Sequence, residues 1–295
     1  MKPFTLSVEN LLLPYADNID FLLYEPINAT ILDREVPAWQ VFIYECIVKS
    51  KTLINNIVDS TVPIVWLLPA WVYQPDRIKL LTTSLQEQYN ERAQHLIFNG
   101  SSSIDSAIAL ASEKNWPQVH LIALDATYRV DKNGRYLYQG TGGALATLSF
   151  VQVGWAQSFS ELVPSINFVQ NNVLNGMLTR ASQTTTEPFK LIFTPGNGVE
   201  AESDVWLQSL QAINDKITEK TMYRFPQYTY GKVGALSGLI NLYTLTTNPT
   251  LVSYTESEHE DADFKGCALI ISQEKYNHQA VASYLWIGKE SNSNG

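Results

Sequence analysis

Charge is scarce in this 295-residue chain: Asp, Glu, Lys and Arg together make up 17%, against 45% apolar residues. Much of the exterior must then be Ser, Thr, Asn and Gln, and part of it is expected to be an interface. Basic residues are the scarcer sign, 20 against 29 acidic, leaving a formal charge of −9. With no run of Lys and Arg to release counterions from a phosphate backbone, the composition argues against a nucleic-acid partner. Long apolar runs are missing too. The longest, VPIVWLLPAWVY at 62–73, is too short for a membrane span and is interrupted by Pro63 and Pro69. The opening MKPFTLSVEN reaches Glu9 and Asn10 before any apolar core of a signal peptide can form. A cytoplasmic location is therefore expected.

Cysteine and histidine are few. Cys46, in VFIYECIV, and Cys267, in GCALII, are the two cysteines. Their apolar surroundings predict buried free thiols rather than a disulfide. The four histidines, His95, His120, His259 and His278, form no HxH, HxxxH or HExxH pattern. No metal site is expected, and nothing calls for a cofactor. The acidic run ESEHEDAD at 256–263 reads as a solvated loop.

What is present has a repeated plan. In HLIFNGSSSIDSAIALASEKNWPQVHLIALDA, a short apolar strand turns through Gly and Ser into a helix, followed by a second strand at 119–126. The serines offer N-caps, and Ile104, Ala107, Ile108 and Ala111 share a helical face. VDKNGRYL, with Asn133-Gly134, signals a hairpin leading to the buried strand GGALATLSFVQV. In the second half, FKLIFTPGNG reads as a strand ending in a glycine loop and ESDVWLQSLQAINDKI as an amphipathic helix. YGKVGALSGLINLYTL reads as a turn and a second helix, and CALIIS and ASYLWIG as closing strands. REVPAWQVFIYECIVKSKTLINNIV is expected to be a long helix, and 82–95 an exposed helical stretch. The small residues Gly234, Ala235, Ser237 and Gly238 predict close burial, because an exposed Gly in a helix costs about 1 kcal/mol relative to Ala. Tyr223, Phe225, Tyr228 and Tyr230 alternate, most simply as core packing. Two α/β halves, 1–155 and 156–295, forming one compact unit follow from this plan.

The succession GSSSIDSAIALA, GTGGALATLSF, TPGNGVEAESDVW and GKVGALSGLINLY, in that order and spacing, resembles the thiolase-like superfamily of thiolases and β-ketoacyl synthases over roughly 95–290. The resemblance implies an α-β-α-β-α sandwich of two duplicated halves. It also implies where chemistry would sit. The family's nucleophilic cysteine, at the start of a buried helix that favours thiolate, matches Gly100. The imidazole of its His-Gly-Thr-Gly motif matches Pro195 in Pro195-Gly196-Asn197-Gly198. The later catalytic histidine and the lysine five residues before it match Lys232 and Gln227. The Gly-Phe-Gly-Gly loop corresponds to QEKYNHQ at 273–279, or alternatively to DFKGC at 263–267.

Loss of the nucleophile and both imidazoles predicts a pseudoenzyme that keeps a vestigial cleft at Ser101, Asn197 and Lys232. Such a protein would act on a protein partner or on itself, as a homodimer or beside a synthase-like subunit. From family context, an adaptor or chaperone in a bacterial secretion or biosynthetic cluster is a further expectation. The alternative is an acyl-transfer or acyl-hydrolysis enzyme rewired around Ser101 and Lys232, resembling the Ser-Lys pairing of some hydrolases. Against it stands the serine run, which also serves helix capping, and His95 as another candidate base reads better as a surface or satisfied residue.

Overall fold

The computed structural model describes residues 1–13, 34–35, 40–57, 61–72, 74–130, 136–164, 171–195, 203–226, 234–247, 266–274 and 278–288. In chain order the elements are β1 (Phe4–Leu12), β2 (Arg34–Glu35), α1 (Gln40–Ile54), β3 (Ile64–Leu67), α2 (Pro75–Tyr89), β4 (His95–Ile97) and α3 (Ser103–Glu113). Then come β5 (Gln118–Val130), β6 (Tyr136–Phe150), β7 (Gly154–Pro164), α4 (Asn171–Gln183), β8 (Phe189–Phe193), α5 (Ser203–Ser209), β9 (Met222–Arg224), α6 (Ala235–Thr247), β10 (Cys267–Glu274) and β11 (His278–Ile287).

Alternation along the strands decides the layers, because successive side chains leave a strand on opposite faces. Val65, Leu121, Ala123, Ala144 and Ala146 join one core with Leu191, Phe193, Ala268, Ile270 and Ala282, and between them lie Ile104, Ala107, Ile108, Leu236, Leu239 and Ile240 of α3 and α6. The intervening residues Trp66, Ile122, Leu124 and Leu145 face the other way, against Ile43, Cys46 and Leu53 of α1 and Leu81 and Leu85 of α2. On the far side, Ile192, Leu269, Ile271 and Val281 pack under Leu174, Met177 and Leu178 of α4 and Trp206 of α5. The result is a five-layer α-β-α-β-α sandwich with three cores.

Each half repeats one strand order. The first runs β4-β3-β5-β6-β1 and the second β9-β8-β10-β11-β7, joined where Phe4 of β1 pairs with Trp155 of β7. In both, the outer two pairings are parallel and the inner two antiparallel. The short β2 pairs with β6 off this path. Two left-handed glycines hold matching places: Gly100, φ +53°, before the turn into α3, and Gly234, φ +50°, before α6. Only glycine takes up such angles without steric cost.

Several expectations need correction. Arg34–Glu35 is a strand, so the long helix begins only at Gln40. The helix of 82–95 starts earlier, at Pro75, where a proline's missing N–H costs nothing, and it is not wholly exposed, since Leu81 and Leu85 are buried. The helix expected over 202–217 breaks: α5 gives way at Leu210 to a 3-10 segment with non-helical angles at Ile213. Tyr223 and Phe225 are exposed rather than core residues, and Tyr228 and Tyr230 lie outside the described residues. Asn133-Gly134 also lies outside them, but the flanking Val130 and Tyr136 pair antiparallel as a hairpin requires. No helix among the described residues is long and apolar enough to cross a membrane.

The central layer leaves little room. A Cβ on Gly238 of α6 would land on the carbonyl oxygen of Ser101 and lie 3.0 Å from Ile104 Cγ2, whereas one on Gly176 of α4 would come no nearer than 3.4 Å, to the end of the flexible Arg180 side chain. Gly238→Ala is expected to destabilise at the upper end of the roughly 1–3 kcal/mol typical of overpacking. Gly176→Ala is expected to stabilise by about 0.5–1 kcal/mol. Urea unfolding of the two variants checks the contrast.

Candidate functional site

A cleft opens where the carboxyl ends of β8 and β10 meet the starts of the two central helices. It is lined by Ser101, Thr194, Pro195, Pro226, Ser237, Asn241, Ile271, Ser272 and Gln273. Its open volume is about 10 Å³, room for roughly one water molecule.

The turn into α3 is built by hydrogen bonds back to the strand ends. Gly100 N–H donates to Leu68 O at 3.1 Å. Ser102 Oγ donates to Asn99 O at 2.9 Å, and Ser103 Oγ accepts from Asn99 N–H at 3.1 Å. This corrects the expected capping role: neither the 3-10 turn nor α3 has a side-chain cap bond, and the serines staple the turn to the end of β4 instead. Ser101, 8% exposed, is left to line the cleft. Opposite it, Thr194 is fixed by two bonds to Arg224 O, from N–H and from Oγ1, both 2.9 Å, which sets Pro195 on the wall.

Of the residues matched by resemblance, Gly100 is buried at the turn, and Ser101 and Pro195 face the same space. Asn197, Gln227 and Lys232 lie outside the described residues. So does the centre of 273–279, but Gln273 at the end of β10 lines the cleft. Cys267, in the alternative segment 263–267, begins the same strand at its other end. His95 is half-buried with its ring edge-on to Trp116 at 5.0 Å, and burial, with Lys114 nearby, lowers its pKa. The cysteines are free and buried. Burial pushes the Cys267 thiol up to about 12 and Cys46 well above its usual value, so neither supplies a thiolate.

Asp125 escaped the sequence reading. It sits at the end of the apolar stretch of β5, 5% exposed, and its Oδ2 accepts from Ala235 N–H at 2.7 Å, so a carboxylate from the first half caps the central helix of the second. A Cβ on Gly234 would fall on that carboxylate. The signal was in HLIALDA: a carboxylate ending an apolar strand must find a donor when buried.

No family model and no curated protein matches the sequence. Solved structures do match. An oxazolomycin ketosynthase domain, OzmH KS8 of Streptomyces albus JA3453, superposes with a TM-score of 0.60 at 12% identity over 98% of this chain and 96% of its own. This chain has the ketosynthase fold. The ishigamide ketosynthase/chain length factor matches at TM-score 0.57 and 11% identity, covering 97% of this chain and 100% of its own. The AntDE:AntF assembly, a type II PKS acyl-carrier protein in complex with its ketosynthase bound to the hexaketide, matches at 0.51 and 12%, covering 97% and 100%. The thiolase-like layering that the resemblance implies is thus the observed fold, and at these identities the likeness speaks to fold alone.

Within this ketosynthase fold, the Asp125 cap accounts for the setting of α6. Asp125→Ala is expected to lower stability by about 1–2 kcal/mol, and Asp125→Asn, which keeps an acceptor, by less. Chemical denaturation of both variants checks this; equal losses would assign the effect to packing.

Proposed function

We propose that this ketosynthase-fold protein is a pseudoenzyme that acts through protein–protein contact. The observation that carries the reading is Gly100. The position that matches the family's nucleophile is a buried left-handed turn with no side chain, and a thiol there would have to adopt a conformation that L residues disfavour. Pro195 on the cleft wall brings no ionisable group, and none of the described lining residues is a Cys, His, Asp, Glu or Lys. Loss of a general acid–base or of a charge-stabilising donor each costs about 10²–10⁴ in rate. Losing the nucleophile as well removes the covalent route the family uses.

A protein partner fits the low surface charge, and the acyl-carrier complex among the structural neighbours supports the plausibility of such contacts on this fold. We favour an adaptor-like or subunit-like role in the cytoplasm, through self-association or a synthase-like or secretion-cluster partner. The halves 1–155 and 156–295 are proposed to be repeats of one unit, a view supported by their shared strand order and the twin glycines.

Two measurements test this. With an acyl-N-acetylcysteamine thioester, acyl release and transfer are expected to stay at the solution background for both wild type and Ser101→Ala. Turnover abolished by that substitution would replace the proposal with an enzyme built on Ser101 and Lys232. Size-exclusion with light scattering is expected to show a dimer of the isolated chain, or an unstable chain rescued by one protein partner; a soluble monomer that captures no protein overturns the contact role.

A further inference from the structure

Asp105 lies four residues beyond Ser101, in the first turn of α3, and is only 4% exposed. Its Oδ1 accepts the hydroxyl hydrogen of Tyr284, a fully buried residue of β11. Gln157 of β7, opposite Tyr284 in the ladder, donates from Nε2 to the main-chain oxygen of Asp105 at 3.2 Å. Phe4 of β1 meets the Tyr284 ring edge-on, 6.0 Å between centroids. A helix of the first half, starting at the cleft, is thereby tied to two strands of the second through the carboxyl and the main-chain oxygen of one buried residue.

That carboxyl has little to support a charge. Tyr284 is its single side-chain donor, with no cation beside it among the described residues. The other titratable groups of the elements packed around it are engaged elsewhere. Glu161 of β7 is paired with Arg180 of α4 at 2.6 Å, and His95 of β4 is packed on Trp116. Tyr243 of α6 is partly buried in the central core, and β3 carries no titratable group. Burial accordingly raises Asp105 to about 7, with the Tyr284 hydrogen bond pulling it down, while burial keeps the Tyr284 hydroxyl protonated well above its usual range.

We propose that Asp105 and Tyr284 form a proton-sensitive latch that holds the cleft end of α3 to the second half while the carboxyl is neutral and loosens when it ionises. The inference is independent of the proposed loss of catalysis. Ionisation places one charge in a dry contact with a single donor, and admitting water to it means separating α3 from β11. The direction follows from linkage. An unfolded Asp titrates near 3.9, roughly three units below the folded value. Between those values the folded chain holds the extra proton, so stability falls as pH rises from about 4 to about 7 and then levels.

The test compares wild type, Asp105→Asn and Tyr284→Phe between pH 5 and 8.5 by thermal melting and by native-state hydrogen exchange corrected for intrinsic rates. In wild type, protection of α3 amides is expected to be at least tenfold lower at pH 8 than at pH 5, with Tm falling in parallel. Asp105→Asn, neutral throughout, should lack this fall. Tyr284→Phe removes the donor that favours the ionised form, so the fall should continue to higher pH before it levels, and its midpoint should rise. A purely structural pair would lower Tm in both variants by the same amount at every pH, leaving the slope intact, and that result overturns the latch. If Asp105→Asn does not fold, an unchanged midpoint in Tyr284→Phe overturns it alone.

Discussion

A helix that buries most of its surface must lie so near its neighbours that side-chain size becomes the controlling variable, and here two such helices meet at the centre. In α6 every residue from Ala235 to Leu242 is buried, and in α3 Ser103, Ile104, Asp105, Ala107, Ile108 and Ala111 are buried as well. Contact is closest at Gly238, where the main chain of Ser101 occupies the volume a side chain would need. Sheets close over both faces of the pair, and α1, α2, α4 and α5 cover the outer sides of those sheets. The outer helices are thus ordinary amphipathic packing, while the inner two fix the architecture.

This inner constraint also frames the cleft. Gly100 and Gly234 are required by backbone angles, and Gly238 by contact, whatever the site does. Ser102 and Ser103 are likewise engaged in holding the turn to the end of β4. Packing alone would retain these residues, and the frame of the cleft with them. Among the described residues, what lines the space is a set of neutral hydroxyls and amides with two prolines and an isoleucine.

The layering was legible because strand residues such as Leu121 and Ala123 alternate with nothing polar between them, and because small residues crowd the segment around Gly238. The repeated order of glycine turn, helix and strands could be read for the same reason. Less visible were features set by partners far away in sequence. Asp125 reads as a strand-end residue until Ala235, on another half, presents its N–H. Asp105 reads as a polar residue on an apolar helix until Tyr284 covers it. The break in the helix after Ser209 is also set by packing, since Leu210 and Ile213 are both buried under α4 in a segment whose local pattern is evenly amphipathic. Tyr223 and Phe225 misled for the opposite reason: large rings suggest a core, but Tyr223 lies on the end strand of its sheet and Phe225 just beyond it, where more than a third of each stays exposed.

The carboxylate of Asp125 and the main-chain bond it receives are made by residues 110 positions apart, with consequences for synthesis on the ribosome. As the first half emerges, the inward side of its sheet has only α3 to cover it, and the position α6 will fill stays open until almost the whole polypeptide has been translated. A nascent chain of this design carries a bare apolar surface from the completion of β6 at Phe150 to that of α6 at Thr247, about a third of elongation. Its yield in a cell should therefore depend on what shields that surface in the interval, more than on the final stability of the native form.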